Sequence, residues 1–234
     1  MIRVTIMGPM LINPRLESYE LSRLFGGGGR QSFSRSLRTK LETRERTLST
    51  LLEPRLHYRV KKIDKISNGF VSLEGGITFR STRLSQALKD SDKIVCFVAT
   101  VGSGIEREIV RLTADNRLSE AYILDAMGSV AVENIVEQFC QRKEAKFALE
   151  NKSVTLRFSP GYCDWPITDQ KKLFELFGSE STGVGLLDSC LMQPRKSISG
   201  VFGLFHHIPP HASPPYNPCH NCKKTDCIAR RNQE

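Results

Sequence analysis

The stretch Arg157-Phe158-Ser159-Pro160-Gly161-Tyr162, entered from the alternating run Val154-Thr155-Leu156, decides how this chain is read. Alternation marks a strand. Pro160 then fixes φ, and Gly161 admits backbone that other residues rarely adopt, so the strand must end in a tight turn. The turn leaves a guanidinium and a phenol at its mouth. Arginine offers a planar fork of donors suited to a carboxylate, and tyrosine offers an aromatic face with one hydroxyl. An ordinary strand-end turn with a surface arginine satisfies the same six residues, so the context has to decide.

Around this turn the chain alternates helical and strand patterns. Ser32 to Leu52 places Phe33, Leu37, Leu41, Leu48 and Leu52 on one stripe ahead of Pro54, which predicts an amphipathic helix with a basic outer face. His57 to Leu73 alternates about Asn68-Gly69, a hairpin signal. A short helix is expected at Leu84 to Leu88 and a buried strand at Lys93 to Ala99. Thr100-Val101-Gly102-Ser103-Gly104 follows and opens a helix from Ile105 to Leu112. Free amides at that helix start would suit an anion or carbonyl, and a plain strand-to-helix turn fits equally well. Leu118 to Lys143 predicts a long helix with Ala126, Met127, Val130, Ala131, Ile135 and Val136 turned inward. Glu133 then falls in an apolar neighbourhood and needs a partner, although a solvent-facing glutamate paired with a lysine fits the same pattern. Asp169 to Phe177 predicts a helix capped by Thr168. Ser197 to Phe205 predicts a strand whose glycines let something pack close to the backbone. Gly26-Gly27-Gly28-Gly29 reads as a hinge, because no Lys-Ser or Lys-Thr follows as in a phosphate-binding loop. Met1 to Ile6 alternates like a strand and lacks the pattern of a signal peptide, from which a cytoplasmic location is expected.

The 234 residues are 39% hydrophobic and 25% charged, and no apolar run approaches the ~20 residues that span a bilayer. No membrane association is expected. The net charge of +9 calls for an anionic partner, with much of it between Arg30 and Arg46 and between Arg55 and Lys65. There the basic residues alternate with polar ones rather than with stacking aromatics, which favours a solvated or protein-docking face over nucleic acid.

Several pieces recur in a recognisable order. They are Ala99-Thr100-Val101-Gly102-x2-Ile105-Glu106, then Ile123 to Glu133, then Arg157-x3-Gly161-Tyr162-x3-Pro166-x4-Lys171, then Leu186 to Gly200. Together they resemble the activation (S-adenosylmethionine-binding) domain of cobalamin-dependent methionine synthase, most closely its short stand-alone relatives. The resemblance implies an α+β fold with a twisted, mainly antiparallel sheet wrapped by helices, spanning residues 1–208, with a Pro-rich linker and cysteine tail over 209–234. It also implies S-adenosylmethionine bound through Glu133, Arg157, Ser159, Gly161 and Tyr162. Tyr162 would be the catalytic residue, placed where the corrin face approaches. The implied function is reactivation, in which cob(II)alamin on a partner protein is reduced and methylated. No Asp-x-His-x2-Gly cobalamin module is present in the sequence, so the cobalamin would arrive on a methyltransferase or other corrinoid protein, and an electron-donor protein would supply the reduction. The histidine that follows the Gly-Tyr run in the larger synthase is Thr168 here, and Tyr216 is the candidate for a C-terminal tyrosine contact.

Seven cysteines divide into a scattered group and a terminal cluster. Cys96 and Cys140 lie in apolar patterns and read as small hydrophobes. Cys219-His220-Asn221-Cys222-x4-Cys227, preceded by Pro209 to Pro215, favours metal over disulfide in a cytoplasmic protein. Cys219, Cys222 and Cys227 are therefore candidate ligands of an iron-sulfur cluster, or of zinc with a histidine or more distant cysteine as the fourth ligand. A cluster suits the electron that reactivation requires. The alternative function is a corrinoid-docking redox module that uses this tail without transferring a methyl group.

Overall fold

The computed structural model describes residues 10–16, 20–21, 24–25, 34–178, 181–206, 216–217 and 219. The expected strand at Met1 to Ile6, the glycine hinge, Cys222 and Cys227 lie outside these. The chain divides into two compact units. The first comprises Met1–Tyr58, Phe97–Lys143 and Ser179–Ile198, and the second Arg59–Cys96, Glu144–Gly178 and Ser199–Glu234.

The elements in order are helix α1 (Arg35–Leu51), strands β1 (Arg55–Ser67), β2 (Phe70–Leu73) and β3 (Thr78–Arg80), helix α2 (Thr82–Ala87), strand β4 (Lys93–Thr100), helices α3 (Gly104–Ala114) and α4 (Leu118–Ala148), strand β5 (Lys152–Val154), helix α5 (Asp169–Glu175), strands β6 (Gly185–Leu186) and β7 (Met192–Gln193), and strand β8 (Ser197–His206). Six strands form one sheet in the order β3-β2-β1-β4-β8-β5, and β6 and β7 form a separate hairpin. The β1–β2, β2–β3 and β5–β8 pairs are antiparallel. The architecture is the mixed, mainly antiparallel one expected.

In the first unit, α1 begins where the Ser34 hydroxyl accepts from Leu37 N–H at 3.3 Å. Its buried stripe is Leu41, Arg44 and Leu48, so one basic residue faces inward rather than outward. Arg44 is tolerated there because Glu108 on α3 and Glu120 on α4 accept from it. Arg111 and Arg117 complete the group, donating to Glu108 and Glu120 at 2.8 and 2.7 Å. The α3 entry is a close approach rather than an open anion cradle. Gly102 takes φ +81° and its N–H donates to the Thr100 hydroxyl at 3.0 Å, while a Cβ on Gly104 would overlap the Leu51 carbonyl. On α4, Ala126, Met127, Val130, Ala131, Ile135 and Val136 are buried as their spacing predicts. Phe139 packs against Tyr58 and Phe97, with ring centroids 5.3 and 5.7 Å away.

In the second unit, Asn68-Gly69 turns β1 into β2 with Ser67 opposite Phe70. Trp165 packs edge-on against Phe79 at 5.2 Å, and Leu84, Leu173 and Phe202 of the same unit are also buried. Gly203 of β8 has no room for a Cβ because Ser91 and Leu88 press on it, the close packing its glycines predict. Cys96 is fully buried and burial pushes its thiol far up, so it behaves as the small hydrophobe expected.

Candidate functional site

The strand-end turn lies in the second unit. Phe158 exchanges two backbone hydrogen bonds of 2.8 Å with Val201, and Thr155 N–H donates to Gly203 O at 3.0 Å. These bonds hold the segment carrying Arg157 against β8, with the Arg157 side chain half-buried. The strand expected over Val154 to Leu156 ends at Val154 in β5; Phe158 rejoins β8 by an isolated bridge, and Pro160 has no N–H to extend it. Tyr162 N–H reaches back to Ser159 O at 3.3 Å, with Pro160 and Gly161 (φ +89°) at the two central positions. That is a type II turn, whose third residue requires the positive φ that glycine supplies. The Gly161 N–H is committed to Trp165 O at 2.9 Å, and a Cβ on Gly161 would press on Ile167 at 3.1 Å. Tyr162 stands out from the turn, 55% exposed.

The loop after the turn is braced by two carboxylates that no motif in the sequence marks. Asp164 accepts from the Ser81 hydroxyl at 2.6 Å, from Thr82 N–H at 2.8 Å and from Arg83 N–H at 3.2 Å, all at the start of α2. Ser81 in turn caps α2 by accepting from Leu84 N–H at 2.9 Å. Partial burial opposes the charge on Asp164. The Ser81 hydroxyl and the Arg83 and Thr82 amides outweigh it and hold the carboxyl below its ordinary range. Asp169, 4% exposed, accepts from Arg80 N–H at 2.8 Å and from the Trp165 indole N–H at 3.0 Å, and pairs with Lys172 at 2.7 Å. Thr168 occupies the position before α5, but its backbone is already helical and its side chain makes no capping bond. The expected cap is therefore absent, and the loop is fixed by Asp169 instead. The only sequence trace of this bracing is the spacing of two aspartates about the single tryptophan.

Arg157, Ser159, Gly161 and Tyr162 thus fall within one rigid corner of the second unit. Glu133 belongs to the first unit, on the exposed side of α4, and not in the apolar neighbourhood expected for it. The other motif pieces converge within the first unit. Arg195 N–H donates to Glu106, Lys196 pairs with Asp125 at 2.8 Å, and the Ser197 hydroxyl donates to Thr100 at 2.9 Å. Near the C-terminus, the Tyr216 phenol accepts from the Arg83 guanidinium at 2.8 Å, and Asn217 accepts from Cys219 N–H at 2.9 Å. Among the described residues no group of three metal-ligating side chains forms, and Cys219 is the one tail cysteine described. No helix among them is long and apolar enough to cross a membrane.

The fold has a counterpart among solved structures. The chain is similar to a crystal structure of the MetH reactivation domain bound to AdoHcy, with a TM-score of 0.57 and 17% identity over 82% of this chain and 68% of that one. At that identity the likeness speaks for the fold. No curated protein matches the chain. The profile of the family described as vitamin B12 dependent methionine synthase, activation domain, matches residues 84–213, more than half of the chain, and the match contains the whole Arg157 to Tyr162 corner. The chain belongs to that family.

Proposed function

We propose that this protein reactivates a cobalamin-dependent methyltransferase of the methionine synthase kind, binding S-adenosylmethionine for the reductive methylation of cob(II)alamin carried by a partner protein. The observation that carries this reading is the family match across residues 84–213, together with a rigid corner that presents a half-buried arginine and an exposed tyrosine. The residues suit the ligand. Arg157 would hold the methionine carboxylate through its fork of donors. Gly161, whose N–H is already used, would offer its carbonyl to a donor on the ligand, and Ser159 would add a further polar contact. Tyr162, held out from a type II turn, would cover the corrin face and exclude water from it. The partner's cobalamin, once reduced by an electron-donor protein, supplies the nucleophile that takes the methyl group. This chain contributes alignment, which can account for much of the rate when a sulfonium and a strong nucleophile are held in line.

Titration of the purified protein with S-adenosylmethionine, with and without a cobalamin-loaded methyltransferase, tests the reading. Binding that appears or tightens with the partner supports it. Absence of binding in both conditions overturns it in favour of a corrinoid-docking redox module. One observation favours keeping that second reading: Tyr216 is tied to Arg83, on the same helix start that Asp164 grips, so the chain leading to Cys219 begins beside the Tyr162 loop. In that reading Cys219, Cys222 and Cys227 ligate an iron-sulfur cluster or zinc. Metal analysis and an absorption spectrum of anaerobically purified protein test it, and a colourless, metal-free sample removes it.

A further inference from the structure

Asp164 is exposed on the loop, yet both of its carboxylate oxygens are turned onto the start of α2. The groups that meet these oxygens are donors, namely one hydroxyl and two successive amides. An ionised carboxylate suits three donors on two oxygens because it has no proton of its own to place. An asparagine would place its NH2 against either the Thr82 N–H or the Ser81 hydroxyl. The hydroxyl oxygen, which already accepts from Leu84 N–H, has a second lone pair for that NH2, but its own proton would then lose its acceptor.

This grip sits where the corner needs it. Cys163, directly before Asp164, takes φ +57° without being glycine. A left-handed backbone at a side-chain-bearing residue costs about 1–2 kcal/mol and persists only where its surroundings over-determine it. Within the turn, the bond from Tyr162 N–H to Ser159 O is long at 3.3 Å, and Trp165 N–H donates to Tyr162 O at 3.1 Å. Asp164 thus supplies an anchor outside the turn two residues from Tyr162. Trp165 is anchored at its indole by Asp169 and Phe79, while its backbone N–H donates to Tyr162 O, so a loosened loop uncovers the ring although the core beneath it stays native.

We propose that Asp164 is a positioning residue for the ligand site, clamping the corner to the start of α2 so that Tyr162 keeps a single orientation relative to Arg157. The ligand part of this inference rests on the function proposed above, whereas the clamp itself does not.

The test uses Asp164→Asn, Tyr162→Ala and the double variant in the full chain. Trp165 is the only tryptophan and lies next to Asp164, so acrylamide quenching of its fluorescence reports the loop without any ligand. Asp164→Asn is expected to raise that quenching while the far-UV circular dichroism stays native. It is also expected to weaken S-adenosylmethionine binding, measured with the cobalamin-loaded partner, by about tenfold, the scale of one hydrogen bond. If Asp164 acts through Tyr162, the double variant binds no more weakly than Tyr162→Ala alone. Losses that multiply, or unchanged quenching in Asp164→Asn, overturn the proposal. If the unmodified protein binds no S-adenosylmethionine, the proposed function fails, and the quenching experiment still decides whether the clamp exists. Should Asp164→Asn fold poorly, Asp164→Ala gives the same three readouts without introducing a new donor.

Discussion

Asp169 offers a sharp test of how the loop is held, because its two oxygens do different work. One oxygen accepts from both Arg80 N–H and the Trp165 indole, at 2.8 and 3.0 Å, and the other pairs with Lys172 at 2.7 Å. In Asp169→Ala both N–H groups lose their acceptor at a site only 4% exposed. Each buried orphan donor costs about 1–3 kcal/mol, so the variant should lose roughly 2–6 kcal/mol. In Asp169→Asn the amide oxygen can serve both N–H groups, leaving the NH2 to face Lys172. That lysine is 43% exposed and keeps its bond to Thr78 O, so solvent screening limits the loss to about 1 kcal/mol. Urea denaturation followed by far-UV circular dichroism, with Trp165 fluorescence as the local probe, measures both variants. Equal losses for Asn and Ala would refute the reasoning, since they would mean that the charge, and not the shared acceptor, holds the loop.

Arg157→Ala is expected to weaken S-adenosylmethionine binding by about 1.5–3 kcal/mol, the scale of a charge-assisted hydrogen bond. Unchanged affinity by calorimetry removes that assignment. Gly104→Ala should lower the melting temperature, because its Cβ would overlap the Leu51 carbonyl. Overpacking costs about 1–3 kcal/mol against a gain of about 1 kcal/mol in helix propensity, so a stabilised variant contradicts the close approach. The guanidinium groups of Arg117 and Arg44 hold the Glu120 carboxyl down at about 2. Its folded value lies below the roughly 4.3 of a free glutamate, so the stability it contributes is present above that pH and is lost as pH falls toward 2. Urea midpoints across this window should fall more steeply for the unmodified protein than for Glu120→Gln, and parallel curves would remove Glu120 from the account.

Much of the local structure was legible in the sequence because its causes lie within a few residues. Asn68-Gly69 made the hairpin, and Pro160-Gly161 made the type II turn. The stripe Leu41, Leu48 made α1, and the inward row from Ala126 to Val136 made α4. The order of the motif pieces carried the family. The short strands β3 and β5 have three residues each, too few for a period to show, and they exist only because β2 and β8 offer edges.

Tertiary structure alone settled which charged groups do the holding. Arg44 belongs to a helix that looked basic on its outer face, and it is buried only because Glu108 and Glu120 come from two other helices. Glu133 is one residue from buried Val132 yet stands on the exposed side of α4, a distinction of about 100° that a mixed polar and apolar pattern did not fix. Asp164 and Asp169 grip residues more than eighty positions earlier in the chain. Turns and helical stripes are set by interactions across one to four residues, which a sequence displays directly. A carboxylate's partners are whatever donors the fold brings within about 3 Å, and that is known only once the chain has closed.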